Sequence, residues 1–309
     1  MAEVQGIPLV DFADFDRSEP ARAALVAATG AALERFGFVA VTGHGVPDAL
    51  FDEAYAAAAA LFALPEADKL ACERPATARQ RGYTPFLREK AKDQAAPDLK
   101  EFWHIGRDLP PDHPYVAQGW LPPNVFPDGQ PQFAEVMRRL FAEQARVAER
   151  LLEIIALHLG VPPAYFADLA HLGNHVLRII NYPDVQTGPE GSVRAAAHED
   201  INLLTVLPSA TRPGLELLDR DGRWVPIQAT PGVFICDTGD MMQVLSAGRL
   251  PSVTHRVVNP PNSDGGRLSM PFFMHPRPDA HLTPYGDPTP GPLARQFLMD
   301  RLVANNVAG

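Results

Sequence analysis

Cysteine is the first scarcity: only Cys72 and Cys236 occur among 309 residues. Two thiols cannot staple a chain of this length, and no C-x-x-C pair exists to bind zinc or run thiol exchange. A reducing, cytoplasmic setting is therefore expected. Long apolar runs are also missing. The longest, Ala54 to Leu64, is alanine-rich and well short of a membrane span, and the opening MAEVQGIPLVDF lacks a basic n-region and an apolar h-region of signal length. Neither an anchor nor a targeting signal is expected. Positive charge is in deficit too, with a formal net charge of −10, so a nucleic-acid backbone or an anionic membrane would on average be repelled. One stretch runs against that balance: Arg79, Arg81, Arg88, Lys90 and Lys92, with only Glu89 as an acid between them. It reads either as a solvated loop or as a recognition loop for an anionic substrate. There is no internal repeat.

What is present is ordinary globular material, 46% hydrophobic and 21% charged, enough for one large core with peripheral helices. Ile7 to Phe12 and Phe38 to Val41 read as short strands around a helix, Ala21 to Arg35, stopped by Gly37. A second helix covers about Pro47 to Leu64, and Pro65 starts a further turn. From Arg74 to about Gln132 prolines multiply and periodicity fades. Tyr83, Phe86, Phe102, Trp103, Tyr115 and Trp120 give that segment side chains to dock, so it is expected as ordered, functional loop. Phe133 to Leu159 is the strongest helix, with Val136, Leu140, Val147, Leu151, Ile154, Ile155 and Leu159 on one stripe and Gly160 as its stop.

After Val176 the period changes to two. Strands are expected at Val176–Tyr182, Arg194–His198, Leu203–Leu207, Leu215–Leu218, Trp224–Ile227, Val233–Asp237, Ser252–Val258 and Leu268–His275, separated by glycine- and proline-bearing turns. Such a series implies a sandwich or jelly roll. The expected organisation is a single domain over 1–309. Residues 1–132 form an N-terminal strand, helix and loop region, 133–175 a helical support, 176–278 a jelly-roll core, and 279–309 a tail with a helix.

The chemistry concentrates in that core. His198 and Asp200 stand two apart in an expected strand, so the pleat sends an imidazole and a carboxylate to one face. A later strand supplies His255. Two imidazoles and a carboxylate on one side of an ion leave the opposite positions open, which suits Fe(II) that must bind a co-substrate and O2. Beyond them, Arg267 and Ser269 form a second same-face pair. A guanidinium fork accepts a carboxylate bidentately, and a hydroxyl two residues on can add a bond.

These segments carry a resemblance. Arg194 to Leu207, the turn Thr238 to Gln243, Ser252 to Val257 and Arg267 to Phe273 resemble the isopenicillin N synthase-like family of Fe(II)/2-oxoglutarate-dependent dioxygenases. So do Ile7 to Asp11, Gly37 to Val46 and Leu61 to Pro65. The resemblance spans nearly the whole chain. It implies an α+β fold, a double-stranded β-helix (jelly roll) flanked by helices with the N-terminal strand/helix region packed on it. It further implies iron on His198, Asp200 and His255, and 2-oxoglutarate held at its distal carboxylate by Arg267 and Ser269, with Tyr182 of Asn181-Tyr182-Pro183 adding a hydrogen bond. Tyr83, Phe102, Trp103 and Phe273 stand where the family places substrate-lining residues. Glu199 and Gly43 depart from common family choices without touching the ligand set, and Ile180 stands where some plant members have an Asn that helps hold the co-substrate.

The implied activity is oxidation of a small organic substrate with release of succinate and CO2. Two rival readings stay open on sequence grounds: an oxidase of the same family that dispenses with 2-oxoglutarate, and a zinc hydrolase using the same His/Asp/His set. The substrate, the reaction outcome and the oligomeric state are not legible.

Overall fold

The computed structural model describes residues 3–4, 6–90, 96–184, 189–228, 230–259 and 265–304. Lys92 and the last five residues of the expected tail lie outside them. In the N-terminal region the strands β1 (Glu3–Val4), β2 (Ile7–Asp11) and β3 (Phe38–Thr42) alternate with helices α1 (Asp14–Arg17), α2 (Glu19–Phe36), α3 (Asp48–Phe62) and α4 (Glu66–Leu70). Gly37 ends α2 at φ 67°, a left-handed cap that an L side chain would strain.

The segment read as loop is less irregular than expected. It contributes β4 (Gly82–Thr84), β5 (Glu101–Gly106) and α5 (Pro114–Ala117). All six residues of β5 are buried, because it lies between β4 and the next strand and is covered on both faces. A strand with two covered faces has no polar alternation to reveal it. α6 (Pro131–Leu159) follows with the expected stripe buried except at its end, where Leu159 is half-buried, then α7 (Tyr165–Ala170).

The core strands are β6 (Val176–Tyr182), β7 (Ala195–His198), β8 (Leu204–Pro208), β9 (Leu215–Leu218), β10 (Trp224–Ile227), β11 (Phe234–Thr238), β12 (His255–Val257), β13 (Arg267–Ser269) and β14 (Phe272–Met274). The last expected strand is thus two, broken at Met270-Pro271, where a proline cannot donate to a ladder. Helix α8 (Asp240–Leu245) sits between β11 and β12, and α9 (Ala294–Ala304) follows the core.

Two sheets result. The larger runs β1-β2-β3-β11-β8-β14-β6-β5-β4 with β13 also on β6, and the smaller runs β10-β9-β12-β7. This is the jelly-roll arrangement as two layers without barrel closure, and the N-terminal strands extend the large sheet by β3 pairing with β11. The pleat sorts the large sheet's side chains. Val39, Val41, Trp103, Ile105, Leu177 and Ile179 join the core beneath the helices, whereas Phe38, Ala40, Phe102, Ile180 and Tyr182 join a second core shared with Ala195, Leu215 and Val257 of the small sheet. The site lies in that inter-sheet space. None of the described helices is long and apolar enough to cross a membrane.

Candidate metal centre and co-substrate cavity

Antiparallel pairing of β12 on β7 sets His255 directly opposite His198, with ring centroids 4.4 Å apart. Asp200 is not on the strand, which ends at His198; it lies in the following loop, where its backbone carbonyl accepts from the Asp240 amide at 2.8 Å. Its Oδ1 is 3.9 Å from Nε2 of both histidines. Among the described residues these three form the one group whose ligand atoms converge, all within 4.8 Å of one another.

The outer atoms are spent on fixing this geometry. Nδ1 of His198 lies 2.7 Å from the Ala196 carbonyl and Nδ1 of His255 lies 3.2 Å from the Val253 carbonyl. A proton on each Nδ1 leaves both Nε2 lone pairs facing the shared point, the support that metal-binding imidazoles require. The Thr205 hydroxyl donates to Asp200 Oδ2, and Asn202 in turn donates to Thr205 at 3.0 Å. Burial, with His255 beside it, pulls the His198 imidazole down to about 4, so it is neutral and able to ligate near pH 7. Asp237, buried on β11 near Asp200, is pushed well above the usual carboxyl range by desolvation and by that charge.

A cavity of about 60 Å³ between the sheets is lined by His198, Asp200 and His255, with His198 and His255 on strands of the small sheet, and by Tyr182, Arg267 and Ser269 of the large one. β13 pairs with β6 so that Arg267 faces Tyr182 and Ser269 faces Ile180. Arg267 is 3% exposed. Its Nε donates to the Arg212 carbonyl at 3.0 Å and its guanidinium carbon is 5.1 Å from the Tyr182 ring centre, but Nη1 has no hydrogen-bond partner. Burial lowers its pKa, offset in part by Tyr182 and Tyr55. Among the described residues no carboxylate pairs with it.

A second cavity, of about 110 Å³, reaches His198 and Asp200 and is walled by Glu89, His104, Arg178, Phe273, His275 and, from α9, Leu298 and Leu302. Phe273 lines both cavities. The other three expected substrate residues do not line them. Tyr83 and Trp103 point to the helix side, where the Tyr83 hydroxyl donates to Glu101 at 2.5 Å and the Trp103 indole donates to the Val125 carbonyl. Phe102 is on the cavity side but lies beneath the Arg178 guanidinium, whose carbon is 4.4 Å from its ring centre.

Two cations of the basic stretch are held inside the fold. Arg79 pairs with Glu73, and Arg81 is fully buried and donates to Asn174 at 2.8 Å. Sequence reading missed Glu89, Lys100, Arg178, Thr205 and Asp237. Arg178 was within reach, since it shares a face of β6 with Ile180 and Tyr182. His44 is structural: its Nε2 lies 3.2 Å from the Gly232 carbonyl, its Nδ1 accepts from Val46, and its ring stacks on Phe234.

Two family models match: the N-terminal region of non-haem dioxygenases in morphine synthesis over residues 7–129, and the 2OG-Fe(II) oxygenase superfamily over residues 173–276. A curated relative, the 2-oxoglutarate-Fe(II) type oxidoreductase hxnY of Emericella nidulans, is 31% identical over 88% of this chain and 80% of its own length. Among solved structures, a 2OG-Fe(II) oxygenase family protein from Caulobacter crescentus is 36% identical, with a TM-score of 0.85 over 97% of this chain and 99% of that one. A full-length Neurospora crassa protein, solved with alpha-KG and thymine, is 25% identical with a TM-score of 0.84, covering 98% of each chain. The chain belongs to the 2OG-Fe(II) oxygenase superfamily. It is an Fe(II)- and 2-oxoglutarate-dependent oxygenase, with both as its cofactor and co-substrate.

Proposed function

We propose that His198, Asp200 and His255 hold the iron, and that Arg267, Ser269 and Tyr182 hold the distal carboxylate of 2-oxoglutarate, while the small organic substrate occupies the second cavity against Phe273. The observation that carries this reading is one cavity lined both by a three-ligand cluster and by a buried guanidinium that has no acidic partner among the described residues. A buried cation without a counter-charge costs several kcal/mol. A co-substrate dicarboxylate that chelates metal at one end and meets Arg267 at the other removes that cost. Fe(II) with 2-oxoglutarate supplies the O2-dependent oxidising chemistry, with succinate and CO2 as co-substrate products.

The protein's own part is positional. The carbonyls of Ala196 and Val253 and the Thr205 hydroxyl fix the ligand atoms. The inter-sheet apolar residues exclude water, and Leu298 and Leu302 close the substrate side. Two buried free thiols support a reducing cytoplasmic location, and the net charge of −10 speaks against a nucleic-acid partner. Pairing of β3 with β11 supports one oxygenase domain over 1–309.

The test is succinate release from 2-oxoglutarate by the Fe(II)-loaded enzyme across a substrate library, with His198→Ala as control. Substrate-stimulated succinate that vanishes in the variant is expected. Substrate oxidation without succinate would instead identify the family's 2-oxoglutarate-independent oxidase chemistry.

A further inference from the structure

The polar groups of the second cavity divide into those already satisfied and those left open. Gln80 and Asn174 are satisfied by each other, Asn174 donating to Gln80 at 2.5 Å and accepting from Arg81 at 2.8 Å. His104 is satisfied as well. Its Nδ1 lies 2.9 Å from the Arg79 carbonyl, and its Nε2 accepts from Arg178 Nε at 2.7 Å. Burial holds that imidazole neutral, so it acts as a fixed brace for the guanidinium rather than as a charge.

Arg178 and Glu89 are the charged groups left with open valences; of the neutral lining groups, Asn202 Oδ1 and His275 Nδ1 also have no hydrogen-bond partner among the described residues. Nη1 of Arg178 donates to Glu89 Oε1 at 3.2 Å, and the guanidinium is stacked between Phe102 and Phe273, 4.4 and 5.3 Å from their ring centres. Its Nη2 has no partner among the described residues. Glu89 Oε1 also meets Lys100 Nζ at 3.0 Å, whereas Oε2, equally buried, has no partner. Lys100 in turn pairs with Asp98 at 2.9 Å. The buried set Asp98, Lys100, Glu89 and Arg178 is therefore balanced, two charges of each sign. Burial pushes the Glu89 carboxyl up, but Arg178 and Lys100 together pull it further down, well below the usual range, so it is an anion.

We propose that the substrate of this enzyme is an uncharged planar ring presenting an N–H beside a C=O, a cyclic amide or imide, with Glu89 accepting from the N–H and Arg178 donating to the C=O. This rests on the assignment of the second cavity as the substrate site. The charge balance of the buried network decides the class, since Glu199, the further carboxylate on this wall beside the ligand Asp200, is exposed to water and accepts from the Thr254 hydroxyl. A carboxylate substrate would bring a third negative charge beside Glu89, and an amidine a third positive one beside Arg178, each into a low-dielectric site where an unmatched charge is costly. A neutral donor-acceptor edge satisfies both open groups and adds no charge. The flat face of such a ring matches the Phe273 side chain, and a cavity of about 110 Å³ is small against the roughly 300–1,000 Å³ of drug-sized pockets. That limits the part seated at the metal to about one ring. His104 is a positioning residue, acting through Arg178.

The experiment is anaerobic calorimetry on the Fe(II)- and 2-oxoglutarate-loaded enzyme with three one-ring probes: uracil, benzoate and benzamidine. The expected result is uracil binding at least about tenfold tighter than either charged probe, about 1.4 kcal/mol. Glu89→Gln is expected to weaken uracil and admit benzoate, shrinking the uracil-to-benzoate preference by about tenfold or more. Arg178→Lys keeps the charge but loses the fork, and should weaken uracil without admitting benzamidine. The wild-type ratio needs no variant, so it stands even if a substitution at the buried network prevents folding. Benzoate or benzamidine binding as tightly as uracil, or no uracil binding while 2-oxoglutarate still binds, overturns the proposal. Failure of 2-oxoglutarate itself to bind would overturn the co-substrate assignment instead.

Discussion

At the residue scale, the site is a set of atoms each fixed by a neighbour that leaves one lone pair or one N–H unspent. Removing a ligand atom removes the function with little else to lose: His198→Ala or Asp200→Ala is expected to abolish iron-dependent turnover of 2-oxoglutarate, measured as succinate, and retained turnover in either would refute the ligand assignment. For Arg267→Ala the expected loss is in 2-oxoglutarate affinity, on the order of 2 to 5 kcal/mol for a buried charge pair, read by calorimetry on the Fe(II) protein. Unchanged affinity would show that the guanidinium serves another purpose. The convergence of His198, Asp200 and His255 and the placing of Arg267 and Ser269 on the same cavity wall were legible because those residue types at those spacings have few other uses together. Asp200, two beyond His198, is expected on the same strand, but the strand stops at His198 and a loop bonded to Asp240 delivers the carboxylate. Arg178 and Glu89 were not singled out, since a strand arginine and a loop glutamate look like surface residues until their burial is known.

Elements carry the site by alternation and pairing register. The pleat explains why neighbours in sequence part company: Trp103 goes beneath the helices while Phe102 supports Arg178, so proximity in sequence was a poor guide to the cavity wall. Helix α6 was readable from its stripe because one face is buried and the other wet. Strand β5 was not, because both its faces are covered. Leu151, fully buried on α6, tests the support: Leu151→Ala should cost about 2–5 kcal/mol of stability by urea denaturation, while 2-oxoglutarate affinity of the folded fraction stays at the wild-type value. A loss of affinity at full folding would mean the helix does more than support the sheet. Helix α9 reaches the site through Leu298 and Leu302. Leu298→Trp should raise the substrate KM several-fold without changing 2-oxoglutarate affinity, and an unchanged KM would remove α9 from the substrate wall.

The molecule as a whole buries an unusual amount of titratable chemistry, and this sets its response to acid. Burial depresses the imidazoles of His104 and His175 well below the ordinary value of 6.5 and brings His275 to about 4. Below pH 6.5 the unfolded chain takes up these protons and the folded protein does not, so acid favours unfolding, by up to about 1.4 kcal/mol per pH unit for each such histidine until its folded-state value is reached. The urea midpoint should therefore fall between pH 7.5 and pH 5.5; a midpoint that holds or rises would contradict neutral burial.

The central claim, that one inter-sheet cavity seats iron at His198, Asp200 and His255 and a dicarboxylate against Arg267, is tested most directly by anaerobic titration of 2-oxoglutarate into the Fe(II)-loaded protein, followed by visible absorption. A saturable chelate band that requires iron, disappears in His198→Ala and shifts to higher 2-oxoglutarate concentration in Arg267→Ala is the predicted result. No band with both components present, or a band indifferent to both substitutions, would contradict it.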